Sequence, residues 1–274
     1  MPPPELSLRH ALALGVLHGP AELLPISSSG HTELVPWLLG WSYAELDGEL
    51  RKAFEVALHA GTAAALVVAL RDEVGEVMGI PPTLDTRTAG LIAGSFVPPA
   101  LVGLGFERPI ERRLGGPGSI ALGLILGSVA MVWADRRGGS SRAREEAGLA
   151  DALWLGAAQA CALMPGMSRN GMTLAAARLR GFGREDANAL SRHVALPVIA
   201  GATLLKGTRL VKRGLPRELR RAFAVGAGAS FASTFGSTWL IRQVERDRSP
   251  LPYAAYRVAL AGAVVRHLWQ HRSR

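Results

Sequence analysis

This sequence is short of charge, of cysteine and of a recognisable leader. Only 19% of its 274 residues are charged, against 49% hydrophobic. Soluble domains usually carry about 25% charge, so an ordinary water-exposed surface is disfavoured. The single cysteine, Cys161, excludes an internal disulfide. Its apolar surroundings predict a small packing side chain. The start, MPPPELSLRHALALG, lacks a basic n-region and a small-x-small site before its apolar run. That predicts no cleaved signal peptide.

What is present is a set of apolar blocks at 53–70, 88–105, 118–134, 188–205, 222–241 and 254–269. Each is about the length that crosses a bilayer core. Many are rich in Ala and Gly, which suits close helix packing in a membrane. The competing expectation, an Ala-rich soluble bundle, does not explain why charges gather between the blocks. The formal net charge is +9, and arginines crowd the connections, notably KGTRLVKRGLPRELRR from Lys206 to Arg221. Anionic lipid headgroups are the expected partner of these basic loops, and no nucleic-acid partner is expected. Lys and Arg counts favour the side carrying both termini as the inner one.

An internal repeat underlies the blocks. Residues 10–25, HALALGVLHGPAELLP, align with residues 151–165, DALWLGAAQACALMP, with one gap. After each proline comes a polar patch, ISSSGH or GMSRNG, and then a short run at 34–41 or 172–180. Pro and Gly break helices, and Ser, Asn and Gly favour turns. Each unit therefore reads as a re-entrant helix hairpin followed by three spans. Irregular backbone at membrane depth is tolerated only against protein or a water-filled cavity. Three crossings between hairpins make the repeat an inverted one, with its binding site where the halves meet. The expected fold is an all-α integral membrane protein. It is a polytopic helical bundle with two re-entrant helix hairpins in an inverted-topology repeat. Residues 1–274 form a single membrane domain, with repeats over 8–134 and 150–270.

The polar residues of the hairpins suit phosphate chemistry. His18 and Glu22 are four apart and share a helix face, as do Glu55 and His59 on the next block. Ser27, Ser28, Ser29 and His31 follow at the first turn, and Ser168, Arg169, Asn170 and Thr173 at the second. Ionisable groups at membrane depth are expensive, so a functional role is the default. Arginine matches phosphate oxygens, and broken helix ends offer amides to an anion. A serine near a histidine is a candidate nucleophile with its acid–base partner. A glutamate can hold a divalent cation or act as general base. Against this, Ser29 reads as a turn residue, and Arg169 as a structural partner of Glu22 or Glu55.

ELLPISSSGH and PGMSRNGMT resemble the two signature segments of the bacterial undecaprenyl-diphosphate phosphatase family. FEVALHAG, QACALMPGMSRNG and ALPVIAGAT extend the resemblance in order along nearly the whole chain. The resemblance implies removal of the terminal phosphate of undecaprenyl diphosphate, yielding the monophosphate lipid carrier of cell-wall synthesis. It further implies multiple passes through the bacterial inner (plasma) membrane, activation by Mg²⁺ or Ca²⁺, an association with bacitracin resistance, and a homodimer. By motif position, Ser28 matches the family's proposed nucleophile, Glu22 its second acidic residue, His31 its histidine and Arg169 its phosphate-binding arginine. Ser27, Ser168 and Thr173 match further polar positions that would contact the substrate.

This chain departs from the pattern in three places. His18 stands where the family usually has an acidic or amide residue, His59 where it usually has Gln, and Asn170 where it usually has Ser. Asn170 is still expected to face the substrate. Two readings of the histidines stay open. His18, Glu22, Glu55 and His59 form an altered metal site, to which imidazoles would draw Zn²⁺ or a similar ion; or the histidines only donate hydrogen bonds in the polar pocket. The choice of Glu22 or His31 as general base is open too. The competing function is a polyprenyl-phosphate transporter of the same architecture, since carriers are also built from inverted repeats.

Overall fold

A computed structural model describes residues 6–71, 86–246 and 249–272. The leader expectation rests partly on residues 1–5, and the connection between the first two apolar blocks falls on 72–85. Both lie outside the described residues. Helices dominate, and there is no β-strand among the described residues. The first half contains α1 (Leu8–Leu23), α2 (Ser28–Leu38), α3 (Gly48–Ala69), α4 (Thr86–Leu114) and α5 (Pro117–Arg137). The second contains α6 (Leu149–Cys161), α7 (Arg169–Leu179), α8 (Arg184–Arg213), α9 (Arg217–Gly236), α10 (Trp239–Arg246) and α11 (Leu251–Arg272).

Three helices are long and apolar enough to cross a membrane among the described residues: Gly48–Ala69, Ala89–Phe106 within α4, and Pro117–Arg137. The expected blocks 188–205 and 254–269 lie inside α8 and α11. The block 222–241 is not one helix. α9 ends at Gly236, Ser237 and Thr238 turn the chain, and α10 begins at Trp239. The basic stretch 206–221 is not an extended loop either. It is mostly the end of α8 and the start of α9, because Gly214 and Pro216 break the helix for only three residues. Cys161, expected to pack inside, is exposed at the end of α6.

The packing exchanges elements between the halves. α1 lies along α9, and α6 lies along α4. The remaining large contacts pair α3 with α9 and α5 with α11. Prolines explain how α1 and α4 fit their partners. Pro20 has no N–H, so the Val16 carbonyl loses its helical donor. Ser233 Oγ of α9 donates to that carbonyl at 2.6 Å. Pro99 likewise frees the Ser95 carbonyl, which Gln159 Nε2 of α6 reaches at 3.4 Å. A polar group freed in an apolar medium must find another partner, and both do so across the halves. Gly15 of α1 makes the α1–α9 approach close. A Cβ there would collide with the Gly226 carbonyl and with Ala229. Outward faces of α4 and α5 carry exposed apolar side chains, including Leu101, Leu104, Leu122, Val129 and Trp133.

Candidate functional site

The two polar patches fold into the same turn. Ser27 and Ser168 both have positive φ, 77° and 66°, and both cap the following helix. Ser27 Oγ accepts from the Gly30 amide at 3.3 Å, and Ser168 Oγ from the Gly171 amide at 3.2 Å. Thr32 and Thr173 each donate to the carbonyl three residues back, at 3.1 Å. A Ser-x-x-Gly-x-Thr frame therefore underlies both ISSSGH and GMSRNG. A serine cap satisfies one open amide and favours helix initiation. The first residues of α2 and α7, among them Ser28 and Arg169, sit at the positive ends of two helix dipoles.

Arg257 of α11 clamps the turns together. Its Nη1 donates to the Pro25 carbonyl at 3.0 Å, and its Nη2 to the Gly166 and Met167 carbonyls at 2.9 and 3.0 Å. The residue is 0% exposed. Gly127 of α5 makes room for it, since a Cβ there would meet the guanidinium and the Met167 carbonyl. Sequence reasoning missed Arg257. The available signal was an ionisable group near the start of an apolar block, well before Arg266 and His267 at its end, which marks a functional position by default.

Between the turns lies a cleft with about 1080 Å³ of open space. Its polar lining includes Glu22, Ser28, Lys52, Glu55, His59 and Arg169, with Ser27, Ser29, Ser168 and Asn170 at the turns. Glu22 is its hub. Ser28 Oγ–H donates to Glu22 Oε2. Arg169 Nη2 donates to Glu22 Oε1 at 3.4 Å, across the two halves. His59 Nε2 lies 3.5 Å from Glu22 Oε2. Lys52, also missed from sequence, pairs with Glu55 at 2.9 Å.

His31 is close in sequence but elsewhere in space. Its Nδ1 bonds the Ser27 carbonyl at 2.7 Å, and a carbonyl only accepts. Nδ1 therefore carries the proton, and Nε2 accepts from Tyr256 Oη at 2.7 Å. Both nitrogens are committed, so the serine–histidine pairing expected from sequence is not formed; of the two candidate bases, Glu22 touches Ser28. Thr173 is buried against Ser191 Oγ at 2.5 Å, outside the cleft lining. Asn170 lines the cleft but uses its amide as a strut. Nδ2 donates to the Leu23 carbonyl at 3.0 Å, and Oδ1 accepts from Ser191 at 3.2 Å. His18, Glu22 and His59 come together, with one ligand atom from each within 4.8 Å of the others. The carboxylate of Glu55 is not part of that group and faces Lys52 instead.

The arrangement combines a hydroxyl held by a carboxylate, an arginine and two helix N-termini around one cleft. Such a site can receive an anion and activate the hydroxyl. Residues 11–263 match the family described as bacitracin resistance protein BacA. A protein of Geobacter metallireducens named undecaprenyl-diphosphatase is 37% identical over 265 residues, which are 93% of this chain and 96% of that protein. One of the same name from Pelobacter propionicus is 39% identical over 271 residues, covering 95% and 97% of the two chains. Another from Moorella thermoacetica is 35% identical over 272 residues, covering 97% and 100%.

Proposed function

This chain belongs to the bacitracin resistance protein BacA family, and we propose on that footing that it hydrolyses undecaprenyl diphosphate to undecaprenyl phosphate and inorganic phosphate. The names of its relatives favour hydrolysis over lipid transport. The setting we propose is the bacterial plasma membrane, crossed several times, with the lipid tail along apolar helices and a homodimer as the assembly. We read α1–α2 and α6–α7 as re-entrant hairpins of inverted repeats over 8–134 and 150–270. The matched serine caps and the exchanged pairings α1–α9 and α6–α4 support that reading.

The observation that carries the chemistry is the bridging of Ser28 and Arg169 by Glu22. The diphosphate enters the cleft with its terminal phosphate against Arg169 and the open amides of α2 and α7. Neutralising that charge is the main demand of phosphoryl transfer. Glu22 takes the Ser28 hydroxyl proton as Oγ attacks the terminal phosphorus in line. The bond from phosphorus to the bridging oxygen breaks, and undecaprenyl phosphate leaves with the bond's electrons. Glu22 passes that proton to the departing lipid phosphate. Water then attacks the phosphoserine, and Glu22 takes the water's proton and returns it to Ser28 Oγ as phosphate departs. Ser27 and Ser168 fix the turns, Asn170 and Thr173 brace the second turn, and His31 holds the first against Tyr256.

The resemblance implies Mg²⁺ or Ca²⁺, and the residues here do not fit either. Ca²⁺ takes six to eight oxygen ligands and Mg²⁺ an octahedral set rich in water. The group around Glu22 offers two imidazoles and one carboxylate. The steps above are therefore carried by side chains and amides, with no Mg²⁺ or Ca²⁺.

The test is phosphate release from undecaprenyl diphosphate by purified protein in detergent. Ser28→Ala is expected to lose about 10²–10⁴-fold, the scale of one acid–base contribution. Undiminished release from folded Ser28→Ala protein would overturn the assignment of the nucleophile, and no release by the wild type would overturn the function.

A further inference from the structure

His18 is fully buried, yet its Nε2 has no hydrogen-bond partner among the described residues. Its other nitrogen is fixed by a directional chain. Ser230 Oγ donates to the Leu58 carbonyl at 2.9 Å, which uses the serine's only proton. Thr62 Oγ1 lies 2.9 Å from Ser230 Oγ and is therefore the donor of that pair. With its proton spent, Thr62 accepts from His18 Nδ1 at 2.9 Å. So Nδ1 of His18 carries the proton and Nε2 presents a bare lone pair. His59 repeats the arrangement. Its Nδ1 donates to the Glu55 carbonyl at 2.9 Å, leaving Nε2 turned to Glu22 at 3.5 Å.

Two imidazole nitrogens and a carboxylate thus converge, and no donor among the described residues reaches His18 Nε2. The two rings meet edge to face with centroids 4.5 Å apart. A buried, unpartnered imidazole nitrogen beside a carboxylate and a second imidazole is what a cation satisfies. Histidine ligands of metals usually donate their second nitrogen to a carbonyl, hydroxyl or carboxylate, which fixes the tautomer. Both rings here do so.

We propose that His18 Nε2, Glu22 and His59 Nε2 bind a single transition ion of the zinc class, and not Mg²⁺ or Ca²⁺. Two nitrogens and one carboxylate match the three-ligand set of open zinc sites. Bonds of about 2.0–2.1 Å put tetrahedral ligands roughly 3.3 Å apart, so the present spread of 4.8 Å needs only small side-chain closure. His18 stands behind the cleft wall, and Glu22 and His59 form part of it. The fourth position therefore faces the cleft. A carboxylate has about four lone-pair sites, so Glu22 can ligate and still accept from Ser28. The proposal deepens the phosphatase reading, since the open position meets the substrate phosphate that this reading places there.

Binding is measured without lipid, which separates the proposal from the function. Chelator-treated protein in detergent is titrated with Co²⁺, followed by its visible d–d absorption, and then challenged with Zn²⁺ and with excess Mg²⁺. The expected result is one Co²⁺ per chain, displaced by Zn²⁺ and retained in Mg²⁺. His59→Gln is expected to abolish the absorption of the bound ion. Thr62→Val, which removes the acceptor behind His18 and replaces no proposed ligand, is expected to weaken Co²⁺ by about 10–100-fold. Absence of saturable Co²⁺ binding in the wild type, displacement by Mg²⁺, or unchanged affinity in both variants would overturn the proposal. Phosphate release by protein that fails to bind Co²⁺ would remove the metal site and leave the phosphatase reading. Co²⁺ binding without phosphate release would uphold the site and remove that reading.

Discussion

Ser27 and Ser168 hold a backbone conformation that side chains other than glycine's rarely adopt. Holding a non-glycine residue there costs on the order of 1–3 kcal/mol. Each recovers part of this by capping a helix. The two terms separate by substitution. Ser27→Ala keeps the strain and loses the cap, so a stability loss of about 1–2 kcal/mol is expected. Ser27→Gly relieves the strain and loses only a few tenths from the cap, so it should be near neutral. Thermal unfolding in detergent compares the two, and equal losses would contradict this account of the turn. Arg257 supports a second prediction. A lysine at this position has a single ammonium and no planar fork, so it cannot hold the carbonyls of both turns. Hydrogen bonds from a charged donor are worth about 1.5–3 kcal/mol each. Arg257→Lys should therefore lose roughly 2–4 kcal/mol, read from the same unfolding experiment, and should slow phosphate release because both turns drift.

At the scale of elements, the proline-freed carbonyls tie each half to the other. Ser233→Ala leaves the Val16 carbonyl without its donor, an expected loss of about 1–3 kcal/mol. Pro20→Ala restores an amide that can serve the same carbonyl within α1. In the Pro20→Ala background, Ser233→Ala should then be much milder. A double-mutant cycle that comes out additive would show that the two groups are not coupled. The helix breaks themselves were legible, because Pro, Gly and Ser runs interrupt apolar blocks at ISSSGH and GMSRNG. The break of the block 222–241 was not, since Gly236, Ser237 and Thr238 are small and occur freely inside packed membrane helices as well. The length of the basic connection was misread for a related reason. Arginine and lysine mark the membrane edge but are also good helix formers, so they continue α8 and start α9.

At the scale of the whole molecule, one site is assembled from both halves. Its members were legible as polar residues that an apolar segment would otherwise exclude. Their pairings were not. His31 lies three residues after Ser28 yet turns to Tyr256, 225 positions away, with its Nδ1 held by the Ser27 carbonyl. Arg257 left no spacing pattern, as its partners are backbone carbonyls and carry no side-chain identity. The convergence of His18 with His59 depends on how α3 meets α1, which helical period alone does not specify.

The central claim is that Ser28 of the first half and Arg169 of the second act as one catalytic unit through Glu22. The most direct test is steady-state phosphate release from undecaprenyl diphosphate by Ser28→Ala, Arg169→Ala and the double variant. Arg169→Ala alone should lose on the order of 10²–10³-fold, as when a single charge-stabilising donor is removed. Residues that act together are strongly non-additive, so the double variant should be scarcely slower than Ser28→Ala. Losses that multiply, or release untouched by Arg169→Ala, would contradict a single site shared by the two halves.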